Sequence, residues 1–226
     1  KAASLPLERA QVDFDAVRET HRKQAEYRAV QLAKARSLWD AAQPITGTRG
    51  EAYFRGRGIT CDLPASLRWM PDIHHGPSMT WGSAIVANVE PTGGVHRTFF
   101  DKRGNRLAKS AKMMLGPCSS GAVSLSEAAS RPLVVCEGIE TGLSLLSGLL
   151  TAPVSVWAAL SAPGVAALEL PNEPGDLIIA TDGDEAGRNA GDKLGLRASA
   201  LGWKVSLMPA PDGKDWNDVL TEGVAA

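Results

Sequence analysis

Cysteine is scarce in these 226 residues, and the three present, Cys61, Cys118 and Cys136, have no paired spacing. That excludes a disulfide framework and the Cys-x-x-Cys arrangement of a structural zinc site. Long apolar runs are also missing. The longest, near Leu143–Leu150, is broken by Ser144, Ser147 and Gly148 and falls short of the ~20 residues that span a bilayer. Nothing near Lys1 reads as a secretory segment, so a cytoplasmic location with no membrane partner is expected. The absence of an initial Met suggests a piece of a longer protein. No Gly-x-x-x-x-Gly-Lys-Ser/Thr loop occurs, which leaves the chain without a nucleotide-hydrolysing motor.

What is present is unevenly charged. From Pro132 onward there are thirteen acids against five bases, whereas residues 1–131 hold twelve acids against nineteen bases. The formal net charge of −1 conceals this split. A basic part suits phosphate backbones and an acidic part suits cations, although mutual attraction of the two parts is an alternative account.

Three organisational zones follow. Residues 1–44 read as a charged helical segment or linker, with one long helix from about Leu7 to Ala42 that buries only a narrow stripe. Residues 45–131 read as a small β-rich basic subdomain. A short helix near Gly50–Gly56 opens it, and a hairpin joins Ser83–Glu90 to Gly94–Phe100. Residues 132–226 alternate strand and helix, with strands at Leu133–Cys136, Val154–Leu160, Asp176–Thr181 and Trp203–Leu207. Apolar strands separated by helices predict an α/β fold with a four-stranded parallel sheet flanked by helices.

Acids fall where such a sheet binds ligands, beyond the carboxyl ends of its strands. Glu137 follows the first strand, Asp182 and Asp184 the third, and Asp215 and Asp218 the fourth. Carboxylates crowded on one rim raise each other's pKa unless cations lie between them. Oxygen ligands without Cys or His suit Mg²⁺ or Mn²⁺ rather than zinc. The glycine between Asp182 and Asp184 is expected to form a tight turn that aims both carboxylates at one ion. Helix capping by these acids is the competing account.

Between His96 and Lys112 lie Arg97, Lys102, Arg103, Arg106, Lys109 and Lys112 against the single acid Asp101. This stretch is the candidate nucleotide- and nucleic-acid-binding surface, with Lys112 the first choice and Arg97 the second. Lys214, beside the acidic rim, is a further candidate for triphosphate. Alternation should bury one of Phe99 and Phe100 and leave the other free to stack a base. His74 and His75 read as a loop pair, Met113 and Met114 as core, and Trp157, Trp203 and Trp216 as packing residues. Glu140, one helical turn after Glu137, either faces the same rim or serves as a first-turn acid.

Val135-Cys-Glu-Gly-Ile-Glu-Thr-Gly-Leu-Ser144, Trp157-Ala-Ala-Leu-Ser161 and Asp215-Trp-Asn-Asp218, with the Asp-Gly-Asp at 182–184, resemble the Toprim domain over roughly 132–220. The likeness is to the primase-like Toprim proteins of phages, plasmids and integrated elements, and it is looser over 45–130. It implies a metal-dependent DNA primase-type nucleotidyltransferase that makes short oligonucleotides on single-stranded DNA from nucleoside triphosphates. The implied catalytic residues are Glu137, Asp182, Asp184 and Lys112, with two ions on Glu137, Asp182, Asp184, Asp215 and Asp218. A replicative helicase or further domains would then be partners. A Toprim nuclease and a non-catalytic DNA-binding replication module are the alternatives. A topoisomerase needs a tyrosine nucleophile, and only Tyr27 and Tyr53 are present.

Overall fold

The computed structural model describes residues 14–128 and 132–224. It opens with the expected long helix, α1 (Phe14–Ala41), whose buried contact with the rest centres on Ala35. The expected helical residues before Phe14 lie outside the described residues. Two sheets follow. The first is antiparallel, in the order β1 (Gln43–Pro44), β2 (Leu67–His75), β3 (Thr80–Val89), β4 (Gly94–Phe100) and β5 (Lys112–Leu115). Between β1 and β2 sits α2 (Arg49–Gly56), whose N-cap Thr48 accepts from the amides of Gly50 and Glu51.

The second sheet runs β10 (Lys204–Leu207), β9 (Asp176–Ala180), β7 (Leu133–Cys136), β8 (Ser155–Ala158) and β6 (Val123–Ser126). The four strands latest in the chain are parallel, as their apolar runs predict, and β7, buried at every position, is the central one. The addition is β6, an antiparallel edge strand from the stretch preceding residue 132. Helices α4 (Ala162–Ala167) and α5 (Glu185–Ala200) pack on one face, around Leu177, Ile179 and Leu194. On the other lie α3 (Ile139–Ser144) and α6 (Trp216–Val224).

That second face does not look at water. Val134, Cys136, Val156 and Leu143 share one continuous apolar cluster with Trp69, Ile85 and Phe100 of the first sheet. Each such side chain contributes about 1.5–3 kcal/mol on burial, so the two sheets stabilise one another. Their junction opens at the carboxyl ends of β7 and β9.

Several expectations change here. Phe99 and Phe100 are both buried, one on each face of β4, so neither ring is free to stack a base. His74 and His75 end β2 instead of lying in a loop, and buried His75 bonds Ser78 Oγ and the Ser110 carbonyl. Met114 is exposed because β5 is an edge strand. Trp203 is buried, while Trp216 and Trp157 pack at the margins of the core.

Candidate active site

Glu137 directly follows β7, whose apolar run ends at Cys136. Asp182 comes two residues beyond β9. Because β7 and β9 are neighbours in parallel register, the two loops emerge side by side. The Asp182 amide donates to Glu137 Oε1 at 3.3 Å, and Thr141 Oγ1 donates to Asp182 Oδ1 at 3.4 Å. Space for this meeting depends on Gly187. A Cβ there would stand 2.5 Å from Glu137 Oε1 and 2.6 Å from the Asp182 carbonyl. Gly183 serves differently from the expected tight turn. Its φ is not left-handed, and a side chain there would collide with the Pro211 carbonyl, so glycine lets the 210–213 loop close against the rim.

Burial, then the charge of Asp182 and after it Asp184, push the Glu137 carboxyl up to about 7. Burial likewise lifts Asp182 to about 6, helped by Asp215 and Asp184. The expected mutual destabilisation is present, with dehydration the larger cause.

The three other acids of the rim are engaged in capping. Asp184 is the N-cap of α5, accepting from the Gly187 amide at 2.7 Å. Asp215 accepts from the amides of Asn217 and Asp218, both at 2.8 Å, while Asp218 Oδ2 accepts from the Asp215 amide at 3.1 Å. That reciprocal pair is a capping box starting α6. Asp215 also lines the cleft; Asp218 does not. Asn217 is buried, and its amide donates to the Arg57 carbonyl and Ser144 Oγ, tying α6 to α2 and α3.

The cleft, about 260 Å³, lies between the sheets. Facing Glu137, Asp182 and Asp215 across it are Arg57, Arg106 and Lys112 from the first half. Lys112 Nζ sits 2.9 Å from Glu140 Oε2, and Tyr53 donates to Glu140 Oε1 at 3.1 Å. Burial alone would raise the Glu140 carboxyl, yet the Lys112 charge and hydrogen bond outweigh it and hold it at about 2. Tyr53 is pushed up to about 12 by burial and then by Glu140, which makes it a poor nucleophile. Among the described residues Arg57 and Arg106 have no ion-pair partner, and Arg57 Nε is buried without an acceptor.

The remaining basic candidates stand apart. Arg97 lies over the Phe99 ring on the opposite face of β4 and donates to the Met114 carbonyl. Arg103 and Lys109 are exposed on the loop before β5, and Lys214 pairs with Glu222. Sequence reasoning weighed Tyr53 only as a nucleophile and passed over Arg57. Their only signal was a place in, and just after, a short helix before the β-rich stretch, which says nothing of what the helix would face.

Residues 29–125 match a family described only as a domain of unknown function, and residues 132–226 match the family described as the Toprim domain. The likeness to Toprim thus falls on the second half of this chain. The whole has the fold of bacterial primase domains. A DNA primase domain from Pseudomonas aeruginosa aligns at TM-score 0.50 and 13% identity, over 85% of this chain and 74% of that one. The zinc-binding and RNA polymerase domains of Aquifex aeolicus primase align at TM-score 0.53 and 16% identity, over 88% of this chain. There the chain spans 58% of its relative. Likeness at such identities carries the fold alone. Comparison with curated protein sequences gives no match.

Does this rim suit a divalent ion? Among the described residues no three His, Cys, Asp or Glu side chains converge as a ready cage. Mg²⁺ does not require one, since it keeps several waters and takes one or two carboxylates plus substrate phosphates. Glu137 and Asp182 are adjacent, oxygen-only and destabilised as a pair, and they fit that description.

Proposed function

We propose that the chain is a primase-type nucleotidyltransferase that extends short oligonucleotides on a single-stranded DNA template. One observation carries the reading. A pair of dehydrated carboxylates, Glu137 and Asp182, faces unpaired Arg57 and Arg106 across a cleft built jointly by the two sheets. An enzyme acting on nucleoside triphosphates needs both halves of that arrangement, anionic ligands for Mg²⁺ or Mn²⁺ and cations for phosphate.

In this reading Glu137 and Asp182 hold the divalent ion, with Asp215 at the margin, and Asp184 steadies α5 beneath them. The chemistry an ion supplies at such carboxylates is neutralisation of phosphate charge and acidification of the attacking 3′-hydroxyl. Arg57, Arg106 and Lys112 gather the triphosphate, which keeps the reacting groups in line. Glu140 and Tyr53 fix Lys112 at the cleft wall instead of letting it collapse onto Asp182. Arg103 and Lys109 extend the positive surface outward for the template.

The test combines template, Mg²⁺ or Mn²⁺ and labelled ribonucleotides. Short products that disappear in Asp182→Ala are expected. Template degradation without synthesis would assign the cleft to a nuclease. Neither activity, with metal-independent DNA binding retained, would make the chain a binding module.

A further inference from the structure

The second sheet has another edge. Leu133, Ser155 and Asp176 begin β7, β8 and β9, and Trp203 immediately precedes β10. All four line a trough of about 510 Å³ that joins a hollow of about 330 Å³ beside β6 through shared Glu127, Trp157 and Pro171. Strands of four or five residues rising about 3.3 Å each put this trough about 13–17 Å from the catalytic rim, at the opposite ends of the same strands, while the hollow runs along β6 as far as Ala122, level with the carboxyl end of β8.

Its floor is apolar, formed by the half-buried Trp157 indole, Trp203, Leu170 and prolines 171 and 174. Among the described residues the charged side chains of its rim are all negative. Glu90, Glu127, Glu169, Glu173 and Asp176 are all exposed, and among the described residues no Lys, Arg or His lines either hollow. None of the five carboxylates takes part in an ion pair among the described residues. Side chains that only kept the surface soluble would not need to ring a cavity with indoles in its floor.

We infer that this trough is a docking site for an extended arginine- or lysine-rich segment of a partner protein. Charge decides the class, because five carboxylates repel a phosphate backbone and attract cationic side chains. Arginine adds a second fit, since its planar guanidinium stacks on indole faces while the rim takes its charge. The prolines and Leu170 supply dry contacts for aliphatic residues between the cations. Neither hollow shares a lining residue with the cleft, so a bound segment leaves the cleft open and the partner is tethered without competing for nucleotide or template. This assignment does not rest on the polymerase reading and would stand if the cleft cleaved DNA instead.

The probe is a fluorescein-labelled peptide of alternating arginine, proline and leucine, titrated with the full chain. Its control has glutamate in place of arginine. Fluorescence anisotropy should show binding of the basic peptide alone, weakening as salt rises. Glu127→Lys combined with Glu173→Lys should weaken that binding about tenfold or more. Both substitutions are at exposed positions, so folding is retained, and an unchanged circular dichroism spectrum and melting temperature verify it. Equal binding of the two peptides, or no effect of the charge reversals, would overturn the proposal. So would a dimer on size-exclusion chromatography that the reversals dissociate, because the occupant would then be a second copy of this chain.

Discussion

Glu137 and Glu140 are three residues apart at the entry to α3, and their surroundings push their carboxyls in opposite directions, up to about 7 and down to about 2. Both are taken from water. Glu137 meets further carboxylates, from Asp182 and Asp184, whereas Glu140 meets an ammonium from the first sheet and a phenol from α2. The first environment leaves a demand for positive charge; the second has already met it. Position along a rim therefore says little about an acid's role until its opposing residues are known, and the first half supplies those.

The sharpest break in this comparison is at the destabilised pair. Asp182→Ala or Glu137→Gln should lower incorporation about 10³-fold, the several kcal/mol expected where metal-assisted charge stabilisation is lost. Circular dichroism should stay native, since neither side chain belongs to the core. Glu140→Gln should cost far less activity. If the two glutamates prove equally essential, the division between a metal corner and a positioning corner fails.

Next in size is the satisfied corner. Lys112→Met leaves Glu140 buried beside Tyr53 without its cation. Breaking a fully buried pair costs 3–5 kcal/mol, and partial exposure of Lys112 reduces this to about 2–3 kcal/mol. That corresponds to a fall of about 4–12 °C in Tm for a chain of this size. Adding Glu140→Gln to Lys112→Met should recover much of the loss, because the stranded charge is gone. Denaturation followed by circular dichroism distinguishes the two variants.

A third effect separates the corners by pH. The folded pKa values of Glu137 and Asp182 lie above their ordinary 4.5 and 3.8, so the native chain binds more protons than the unfolded one across that interval. Their contribution to stability is thus favourable at low pH and is lost as pH climbs through about 6 and 7. Divalent ions should reverse this loss. At tenfold excess over its dissociation constant Mg²⁺ adds about 1.4 kcal/mol, or about 3–6 °C in Tm, at pH 7.5. At pH 5, with both carboxyls protonated, the shift should nearly vanish. A shift of equal size at both pH values would place the ion elsewhere.

Much of the Toprim-like half was legible because its inner strands are short, mostly apolar and bounded by helices. Leu133–Cys136 is apolar at all four positions, and Glu137 and Asp182 fall in the loops after such strands. The first half resisted for local reasons. In β2 the alternation breaks at Pro71 and Asp72, where the register shifts between Met70 and Ile73. Strand β6, Val-Ser-Leu-Ser, is four residues long and pairs with β8 about thirty residues later. Arg57 and Tyr53 were illegible in principle, since only packing of α2 against Phe100 and the Glu140 carboxylate turns them toward the cleft. The basic run misled in part because strand pairing, not charge density, decides that Arg106 and Lys112 face the cleft while Arg97 faces away.

The smallest predicted effect tests that limit on the acids. Asp218 shares its motif with Asp215, and sequence alone offers both as ligands. In the fold Asp218 returns a carboxylate oxygen to the Asp215 amide and points out of the cleft. Asp218→Ala should therefore remove one side of a capping box, about 0.5–1 kcal/mol or about 1–4 °C in Tm, without changing Mg²⁺ dependence or incorporation. Asp218→Asn, which keeps an acceptor oxygen, should restore the stability. A rise in the Mg²⁺ concentration required by Asp218→Ala would instead return this residue to the metal site and widen the destabilised corner to include the start of α6.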